Sequence, residues 1–339
     1  MKEKVTMQDI AERLNLSKNS VSQALSGKAG VSEETRKLIL EIASQMGYVY
    51  SSTNRKSYSP SPKKGTIALI ASDFAFSMKS FFGEIYLIVE QEAAARGMNL
   101  QIQSISQGTA EQLLIPAIMQ NQSIDGVLIL SHITTDYINS IIATGKPTVL
   151  IDHHHPYIHA DSILTNNRFS AFEAVRYLAE LGHRKIGILT DISFSPSYYE
   201  RLEGFLLAMN EFGIPIREEW ILRDAKENAS YILSAIESLE EQPSAWFCVN
   251  DGLSFLLCST LQKLGVQIPG QVSIVSFDNG YLSQMSIPTI TTMDVNLKLY
   301  AQKAVEQLIW RMDHPNEPFT ELLLPTKLLI RQSTGPAPY

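Results

Sequence analysis

Residues 6–48 read TMQDIAERLNLSKNSVSQALSGKAGVSEETRKLILEIASQMGY and predict three short amphipathic helices. Thr6, Ser17 and Ser32 each stand at an expected helix N-cap, because a short hydroxyl side chain accepts amide hydrogens that the first turn leaves unpaired. Asn15-Leu16 is the predicted tight turn between the first two helices. The side chains predicted to face inward are Ile10, Ala11, Leu14, Val21, Ala24, Leu25, Thr35, Leu38, Ile39, Ile42 and Met46. This pattern is typical of a helix-turn-helix module.

The second of these helices carries a polar face suited to reading DNA bases. Its first turns place Lys18, Asn19, Ser22 and Gln23 where such a helix enters the major groove. Lysine donates to guanine, and asparagine or glutamine pairs with adenine. The residues predicted to contact DNA are Thr6, Ser17, Lys18, Asn19, Ser20, Ser22, Gln23, Arg55 and Tyr58. A helical bundle with a solvated polar face is the alternative, and the coincidence of turn, caps and base-reading residue types favours DNA binding.

The charge distribution separates a basic head from an acidic body. Residues 1–64 contain eleven Lys or Arg and six Asp or Glu, a net charge of +5, and the whole chain is −7, so residues 65–339 carry −12. A protein that contacts phosphates at one end only is expected to have this asymmetry. The polar, Pro-containing segment 49–65 is predicted to be a hinge or linker after a DNA-binding headpiece at 1–48.

From Gly65 onward, short apolar runs alternate with helical patterns. We predict strands over 66–71, 99–104, 126–130, 148–152, 185–190, 220–222, 245–249 and 272–277. We predict helices over 80–96, 110–121, 168–181, 201–212, 229–240 and 253–264. Regular alternation indicates parallel sheets with right-handed crossovers. The expected fold class is therefore α/β: a three-helix head followed by two doubly wound parallel-sheet lobes.

Short polar residues follow the predicted strands, where ligands bind in open parallel sheets. They are Ser72, Asp73, Ser131, Asp152, Thr190, Asp191, Asn250, Asp251, Asp278 and Asn279. Arg201 opens a predicted helix within reach of the same cleft, and Phe74, Phe76, Phe81 and Phe82 offer a flat apolar wall. Polar groups beside a stacking face are typical of a sugar or nucleoside pocket. Any one of these residues alone is better explained as a helix cap or turn residue, but the set is not.

Other function classes find little support. We expect no catalytic residues, no metal and no cofactor, because nucleophile-elbow, phosphate-loop and dinucleotide-binding motifs do not appear and three consecutive histidines, 153–155, cannot face one point. A transported-solute receptor would fit the body alone, but we find no signal peptide or membrane span. Cys248 and Cys258 are expected to be buried core residues of a reduced, cytoplasmic protein.

Taken together, these motifs resemble the LacI/GalR (lactose-repressor) family of bacterial transcriptional regulators. The resemblance spans residues 5–335. In the head it rests on Asp9-Ile10-Ala11, Val21-Ser22 and Gly47-Tyr48. In the body it rests on Asp73, Phe81-Phe82, Gly126, Asp152, Gly182-His183-Arg184, Arg201, Gly204-Phe205, Asn250-Asp251, Phe277-Asp278, Thr291-Thr292 and Arg331-Gln332-Ser333-Thr334.

The resemblance implies a homodimer whose body is a periplasmic-binding-protein-like pair of lobes with an effector in the cleft. The chain is expected to cross between lobes near 163, 291 and 325. This gives an N-subdomain at 66–163 and 292–325 and a C-subdomain at 164–291 and 326–339. The resemblance assigns effector contacts to Ser72, Asp73, Asp152, Arg201, Asn250 and Asp278, to which the aromatic pattern adds Phe76 and Phe82. It assigns base contacts to Lys18, Asn19 and Gln23.

The sequence departs from the family pattern at the second helix and at the hinge. Gln23 replaces a usual arginine and favours adenine over guanine. Tyr50 and Ser51 stand at the usual Pro-Asn, and Ser57 stands at the leucine that wedges into the minor groove. Tyr58 is the nearest aromatic candidate, so either the wedge is displaced or the hinge folds poorly and bends the operator less. A leucine-heptad tail is absent after Thr334, which favours a dimer.

The expected function is a ligand-responsive repressor of carbohydrate-utilisation genes. It would bind a near-palindromic operator as a dimer and be released by a small sugar. Two alternatives stay open within the fold: control by a corepressor, either a nucleobase or a phosphorylated carrier protein, and a sugar-binding protein without DNA function.

Overall fold

The structure is a computed structural model that describes residues 5–25, 31–46, 65–77, 81–120, 123–130 and 133–338. It forms two compact units, Met1–Ser61 and Pro62–Tyr339. The first unit is the head and the second is the body. Except for Gly65, which begins the first strand of the body, the predicted hinge at 49–65, with Tyr50, Ser51, Arg55, Ser57 and Tyr58, lies outside the described residues.

The head contains the three predicted helices, α1 (Met7–Leu14), α2 (Lys18–Leu25) and α3 (Glu33–Gln45). Thr6 caps α1 through a reciprocal capping box with Asp9, and Asn15 ends the helix in the left-handed region at φ 53°. The hydroxyls of Ser17 and Ser32 accept the amide hydrogens of Ser20 and Thr35, at 3.0 and 3.2 Å, as caps do.

The head core is small and consists of Ile10, Ala11, Val21, Ala24, Ile39 and Ala43. Leu38 is 48% exposed, so the prediction that it faces inward is wrong. The buried stripe of α3 follows Ile39, Ile42, Ala43 and Met46, and Leu38 lies about a quarter of a turn away from it, since each helical residue advances by about 100°.

The described part of the body contains twelve strands. In chain order they are β1 (Gly65–Ser72), β2 (Met98–Ile105), β3 (Ile124–Leu130), β4 (Thr148–Ile151), β5 (Asp161–Thr165), β6 (Ile186–Leu189), β7 (Ile221–Leu222), β8 (Ala245–Cys248), β9 (Ser273–Asp278), β10 (Thr291–Asp294), β11 (Glu321–Leu324) and β12 (Lys327–Leu329). They form two six-stranded sheets, ordered β11-β5-β4-β3-β1-β2 and β12-β10-β9-β8-β6-β7. All pairs are parallel except β10 with β12. The two doubly wound lobes are confirmed.

Helices cover both faces of these sheets. They are α4 (Asp73–Ser77), α5 (Phe81–Ala95), α6 (Gln107–Glu111), α7 (Ala117–Gln120), α8 (Thr135–Ile142), α9 (Asn167–Glu180), α10 (Pro196–Glu211), α11 (Ala229–Glu237), α12 (Asp251–Lys263), α13 (Tyr281–Met285) and α14 (Leu297–Asp313), with a 3₁₀ turn at Glu218–Trp220. The predicted helix 110–121 is wrong, because α6 and α7 are separate and Pro116 supplies no amide hydrogen between them.

The chain passes between lobes three times: after β5, after β10 and after β11. The expected boundaries at 163 and 291 therefore fall inside β5 and at the start of β10. The crossings themselves come later, after each strand has ended. The strand β5 pairs with β4 and β11, and β10 pairs with β9 and β12. The helix α14 packs into the core of the first lobe through Tyr300, Ala304 and Leu308.

Each lobe has its own apolar core. The first lobe packs side chains on both faces of its sheet, and the second lobe has one large cluster that includes Trp246, Phe247 and Phe277. Cys248 and Cys258 are buried in the core of the second lobe and form no disulfide, as the sequence predicts.

Candidate functional site

A cavity of about 680 Å³ lies between the lobes at the carboxyl ends of their strands. Five of the eight predicted effector residues line it: Phe82, Asp152, Arg201, Asn250 and Asp278. They come from α5, the turn after β4, α10, the turn after β8 and the end of β9. Ligands bind at this edge of open parallel sheets, and a cavity of this size is typical of a small-molecule site.

Arg201 is the central cation of the cavity. Its side chain is only 2% exposed. The buried guanidinium donates hydrogen bonds to Asn167 Oδ1 at 2.9 Å, to Asp278 Oδ1 at 3.2 Å and to the carbonyl of Val249. Its Cζ also lies 3.6 Å from the centroid of the Phe277 ring. Ser195 and Pro196 start α10 earlier than predicted, so Arg201 lies in the second turn and does not open the helix. These contacts fix the direction of its donors.

Asp152 follows β4 and joins the two lobes. Its Oδ1 accepts hydrogen bonds from Ser197 of α10, at 3.1 Å, and from Tyr300 of α14, at 3.3 Å. Burial raises the pKa of this carboxyl to about 6, against the opposing effect of Arg201. The backbone of Asp152 is in the left-handed region at φ 56°. Rare backbone conformations of this kind concentrate at functional sites.

Asp278 and Asn279 also have positive backbone φ angles, of 102° and 62°. Asp251 supports their turn, because its carboxylate accepts the hydroxyls of Ser276, at 2.6 Å, and Thr292, at 3.2 Å, and the amide of Gly280. Burial and the charge of Asp278 raise the pKa of Asp251 to about 7. Burial also raises the pKa of Asp278, although Arg201 opposes it. The turn therefore presents two carboxylates, that of Asp278 bonded to Arg201 and that of Asp251 bonded within the turn.

Asn250 caps α12, with its Oδ1 2.8 Å from the amide of Leu253, and donates through Nδ2 to Glu227, at 2.7 Å, and to the Tyr198 hydroxyl. Glu227 and Tyr198 both line the cavity, and neither is among the residues predicted from the sequence. Glu227 lies in the irregular stretch between β7 and α11, which has no periodic pattern to mark it. A Cβ on Gly252 would approach its carboxylate to 2.4 Å, so Glu227 lies against the N-terminal turn of α12, where negative charge is favoured.

An aromatic wall completes the cavity. Phe81 and Phe82 meet edge to face with centroids 5.1 Å apart, and Phe74 meets Phe194 of the other lobe at 5.7 Å. Aromatic faces of this kind suit a ligand with an apolar ring face.

Three predicted effector residues do not line the cavity: Ser72, Asp73 and Phe76. Because α4 begins directly after β1, Ser72 Oγ accepts the amide hydrogen of Ala75 at 3.1 Å. The exposed carboxylate of Asp73 accepts a hydrogen bond from Ser104 of β2. Phe76 packs against Tyr86 at 6.3 Å. Ser131 lies outside the described residues.

The candidate DNA-reading face is on α2. Lys18 and Asn19 are exposed and Ser22 and Gln23 are half-buried, whereas Val21 and Ala24 are buried. Thr6, Ser17 and Ser20 form capping contacts: Thr6 with Asp9, and the Ser17 hydroxyl 2.9 Å from that of Ser20. Arg36 of α3 donates to the carbonyl of Ala24, which ties down the end of the helix. The helix is thus anchored at its start by the Ser17 cap and at its end by Arg36.

The three consecutive histidines diverge. His153 is buried, and burial lowers its pKa to about 4. His154 lies between Glu200 and Glu321, and His155 lies beside Tyr157. Within the described ranges, no three His, Cys, Asp or Glu side chains are grouped to hold a metal. No helix in the same ranges is long and apolar enough to cross a membrane.

Comparison with known proteins matches both parts of the chain. Residues 6–51 match the family described as bacterial regulatory proteins, lacI family, and residues 175–334 match the periplasmic binding protein-like domain. The chain is 29% identical over 333 residues to the ribose operon repressor of Haemophilus influenzae, covering 97% of this chain and 98% of that protein. It is 30% identical over 311 residues to the transcriptional repressor PurR of Actinobacillus pleuropneumoniae serotype 3, covering 91% of each.

Among solved structures, the fold is similar to that of the lac repressor dimer bound to operator and the anti-inducer ONPF. The TM-score is 0.71 at 19% identity, covering 98% of this chain and 100% of that chain.

Proposed function

The chain belongs to the lacI family of bacterial regulatory proteins, whose members are DNA-binding transcriptional regulators, and on that basis we propose that it represses transcription under the control of a small sugar. The observation that carries the proposal is the convergence of Asp152, Arg201, Asn250 and Asp278 on one cavity with an aromatic wall. Carboxylates, an amide and a guanidinium bind hydroxyl groups, and the aromatic rings cover the apolar face of a pyranose.

The head supplies DNA binding in this proposal. Lys18, Asn19, Ser22 and Gln23 on α2 would contact base edges, while Thr6, Ser17 and Ser20 would position the helix on the phosphates. Arg55 and Tyr58 of the hinge segment would add backbone and minor-groove contacts. Binding to chromosomal DNA implies a cytoplasmic protein.

Two copies of the chain would form the working unit, because one head makes few contacts and two span a near-palindromic operator. Exposed apolar side chains in both lobes favour pairing. The first lobe exposes Leu87 of α5 and Ile102 of the edge strand β2, and the second lobe exposes Tyr281, Met285 and Ile287. Clusters of exposed apolar side chains are typical of interaction surfaces.

The sugar would act by favouring one arrangement of the lobes. A ligand that bonds both Asp152 and Asp278 contacts both lobes at once, so it binds differently when the angle between them changes. Changing that angle would change the spacing of the two heads. A coupling of about 1–3 kcal/mol is typical of such control.

The test uses the purified full chain, promoter fragments from its own genome and a panel of neutral sugars at low ionic strength. We expect one fragment to bind and one sugar to release it. Asp278→Ala is expected to abolish the sugar-dependent thermal shift while the protein still binds the fragment, which shows that the head is folded. Failure to bind any fragment would contradict the proposal. If the ligand tightened DNA binding, it would be a corepressor and not an inducer.

A further inference from the structure

A second cavity of about 480 Å³ adjoins the first, and Phe74, Phe194, Tyr198, Glu227 and Asn250 line both. We propose that one uncharged ligand with two rings, a disaccharide or a glycoside, fills both cavities. The first ring would lie at Asp152, Arg201 and Asp278, and the second ring beyond the aromatic pair. This inference rests on the proposed effector site and specifies its ligand.

The second cavity is formed almost wholly by the second lobe. Its floor is apolar, with buried Ala225 and Leu253, and its rim carries Asp191, Ser193 and Lys226. The rim is ordered by a turn in which the Ser193 amide and hydroxyl donate to Asp191 Oδ1, at 3.1 and 2.6 Å. An apolar floor under a polar rim suits a ring that has C–H groups on one face and hydroxyls at its edge.

The aromatic pair marks the border between the cavities. Phe194 also lies 5.1 Å from Tyr198, with the rings tilted by 32°, and this places three aromatic rings along the junction. Beside them the Asn250–Glu227 hydrogen bond presents one carboxylate and one amide. A ligand that crosses this border meets stacking faces on one side and hydroxyl partners on the other.

The charge of the lining selects against anions. Seven carboxylates face three cations, Arg201, Lys226 and Lys298, across the two cavities; the carboxylates are Glu84, Asp152, Asp191, Glu227, Asp251, Asp278 and Asp294. Lys226 and Lys298 are exposed, and Arg201 is already bonded to Asp278. A phosphorylated or acidic sugar would face net repulsion there. The expected ligand is therefore neutral, and its second ring distinguishes it from a simple monosaccharide.

The experiment measures binding of matched pairs to the full chain by calorimetry: cellobiose and maltose against glucose, lactose against galactose, and glucose against glucose 6-phosphate. We expect at least one disaccharide to bind at least tenfold more tightly than its constituent sugars, and the phosphate to bind more weakly than glucose.

Ser193→Trp and Lys226→Trp place an indole at the rim of the second cavity from two separate loops. Each is expected to reduce the disaccharide preference at least fivefold. Ser234→Trp, on exposed α11 outside both cavities, is the matched control and should keep the preference.

The outcomes separate the two proposals. A monosaccharide that binds as tightly as every disaccharide, a disaccharide preference that survives both rim variants, or tighter binding of the phosphate would overturn the two-ring inference while leaving a sugar effector in place. If no sugar of either size binds in a manner that Asp278→Ala removes, the sugar effector itself is contradicted and this inference falls with it.

Discussion

His154 shows how one residue ties the two lobes together. Its Nε2 lies 2.9 Å from Glu200 of α10 in the second lobe, and its Nδ1 lies 3.0 Å from Glu321 of β11 in the first. The hydrogen bond to Glu200 raises the pKa of His154 from 6.5 to about 9, against the opposing effect of burial. The imidazole is therefore charged at neutral pH and bridges carboxylates on both sides of the cleft.

A pH dependence follows from this bridge. Because the folded pKa is raised, the stabilisation is complete below pH 6.5 and is lost as the pH rises through 9. The full shift corresponds to about 3 kcal/mol, and we expect about 1–2 kcal/mol because the pair is partly exposed to solvent. Urea unfolding of His154→Gln should show that deficit at pH 6 and almost none at pH 9.5. A deficit that is equal at both pH values would contradict the ionic bridge.

Gln23 determines one base preference in the proposed operator. Its amide suits adenine, whereas an arginine suits guanine, and a bidentate contact is worth about 1–3 kcal/mol of discrimination. Gln23→Arg is therefore expected to shift the preferred base at one symmetric position in each half-site from adenine to guanine. Competition gel shifts with paired operator variants measure the change. Gln8→Arg, on the exposed side of α1, adds the same charge and should leave the base preference unchanged.

At the scale of elements, a buried ion pair holds β5, α14 and β11 together. Arg311 of α14 bonds both carboxylate oxygens of Asp161 of β5, at 2.6 and 2.9 Å, and the amide of Thr320, just before β11, donates to the same carboxylate at 2.8 Å. The guanidinium also donates to the carbonyls of Glu317 and Pro318. Each of these elements adjoins one of the three lobe crossings, since β5 and β11 precede crossings and α14 follows the one after β10. The pair therefore fixes the first lobe where the chain leaves it and returns.

Removing one partner of this pair should be costly. Arg311→Leu leaves Asp161 buried without its cation, and we expect a loss of about 3–5 kcal/mol in the free energy of unfolding. The double variant Arg311→Leu with Asp161→Leu should recover much of that loss, since no charge is then left unpaired. Arg176→Leu, which breaks an exposed pair with Glu173, should cost less than about 1 kcal/mol. Denaturant unfolding of the four proteins checks the order.

The same elements show what the sequence could and could not predict. The apolar runs that become β1, β3 and β8 are long enough to be recognised, so most strands and the positions of Asp152, Asn250 and Asp278 at their ends followed from pattern alone. The strand β5 reads DSILT and was missed, because its first residue, Asp161, is a carboxylate whose burial depends on a partner distant in the chain, Arg311.

Candidate site residues outside strand ends were harder to find. Glu227 belongs to an irregular segment, and its contact with Asn250 depends on the packing of the loop before α11 against α12. Ser72 and Asp73 stand at a strand end as predicted, but the immediate start of α4 turns them away from the cavity lining. Strand ends predict which loops form a site; the helix that follows decides which side chains enter it.

At the scale of the whole molecule, the proposed repressor works only if two chains pair, and the second lobe offers the clearest place to break that pair. Ile287 is 82% exposed, next to exposed Met285 and Tyr281. Ile287→Asp places a charge at the centre of this surface. We expect sedimentation to show a monomer at concentrations where the parent chain is a dimer. Operator affinity should fall at least 100-fold, because the second head no longer binds at a high effective concentration.

The head and the effector cavity provide the controls for this prediction. The variant should keep the thermal shift produced by the sugar, since Ile287 does not line the cavity, and it should keep the helical signal of its folded domains. Leu207→Asp, at an exposed leucine of α10, introduces the same charge elsewhere in the second lobe and should leave both the dimer and the operator affinity intact. If Ile287→Asp still sediments as a dimer, the pairing surface lies elsewhere; if it is monomeric and binds the operator unchanged, paired heads are not needed for recognition.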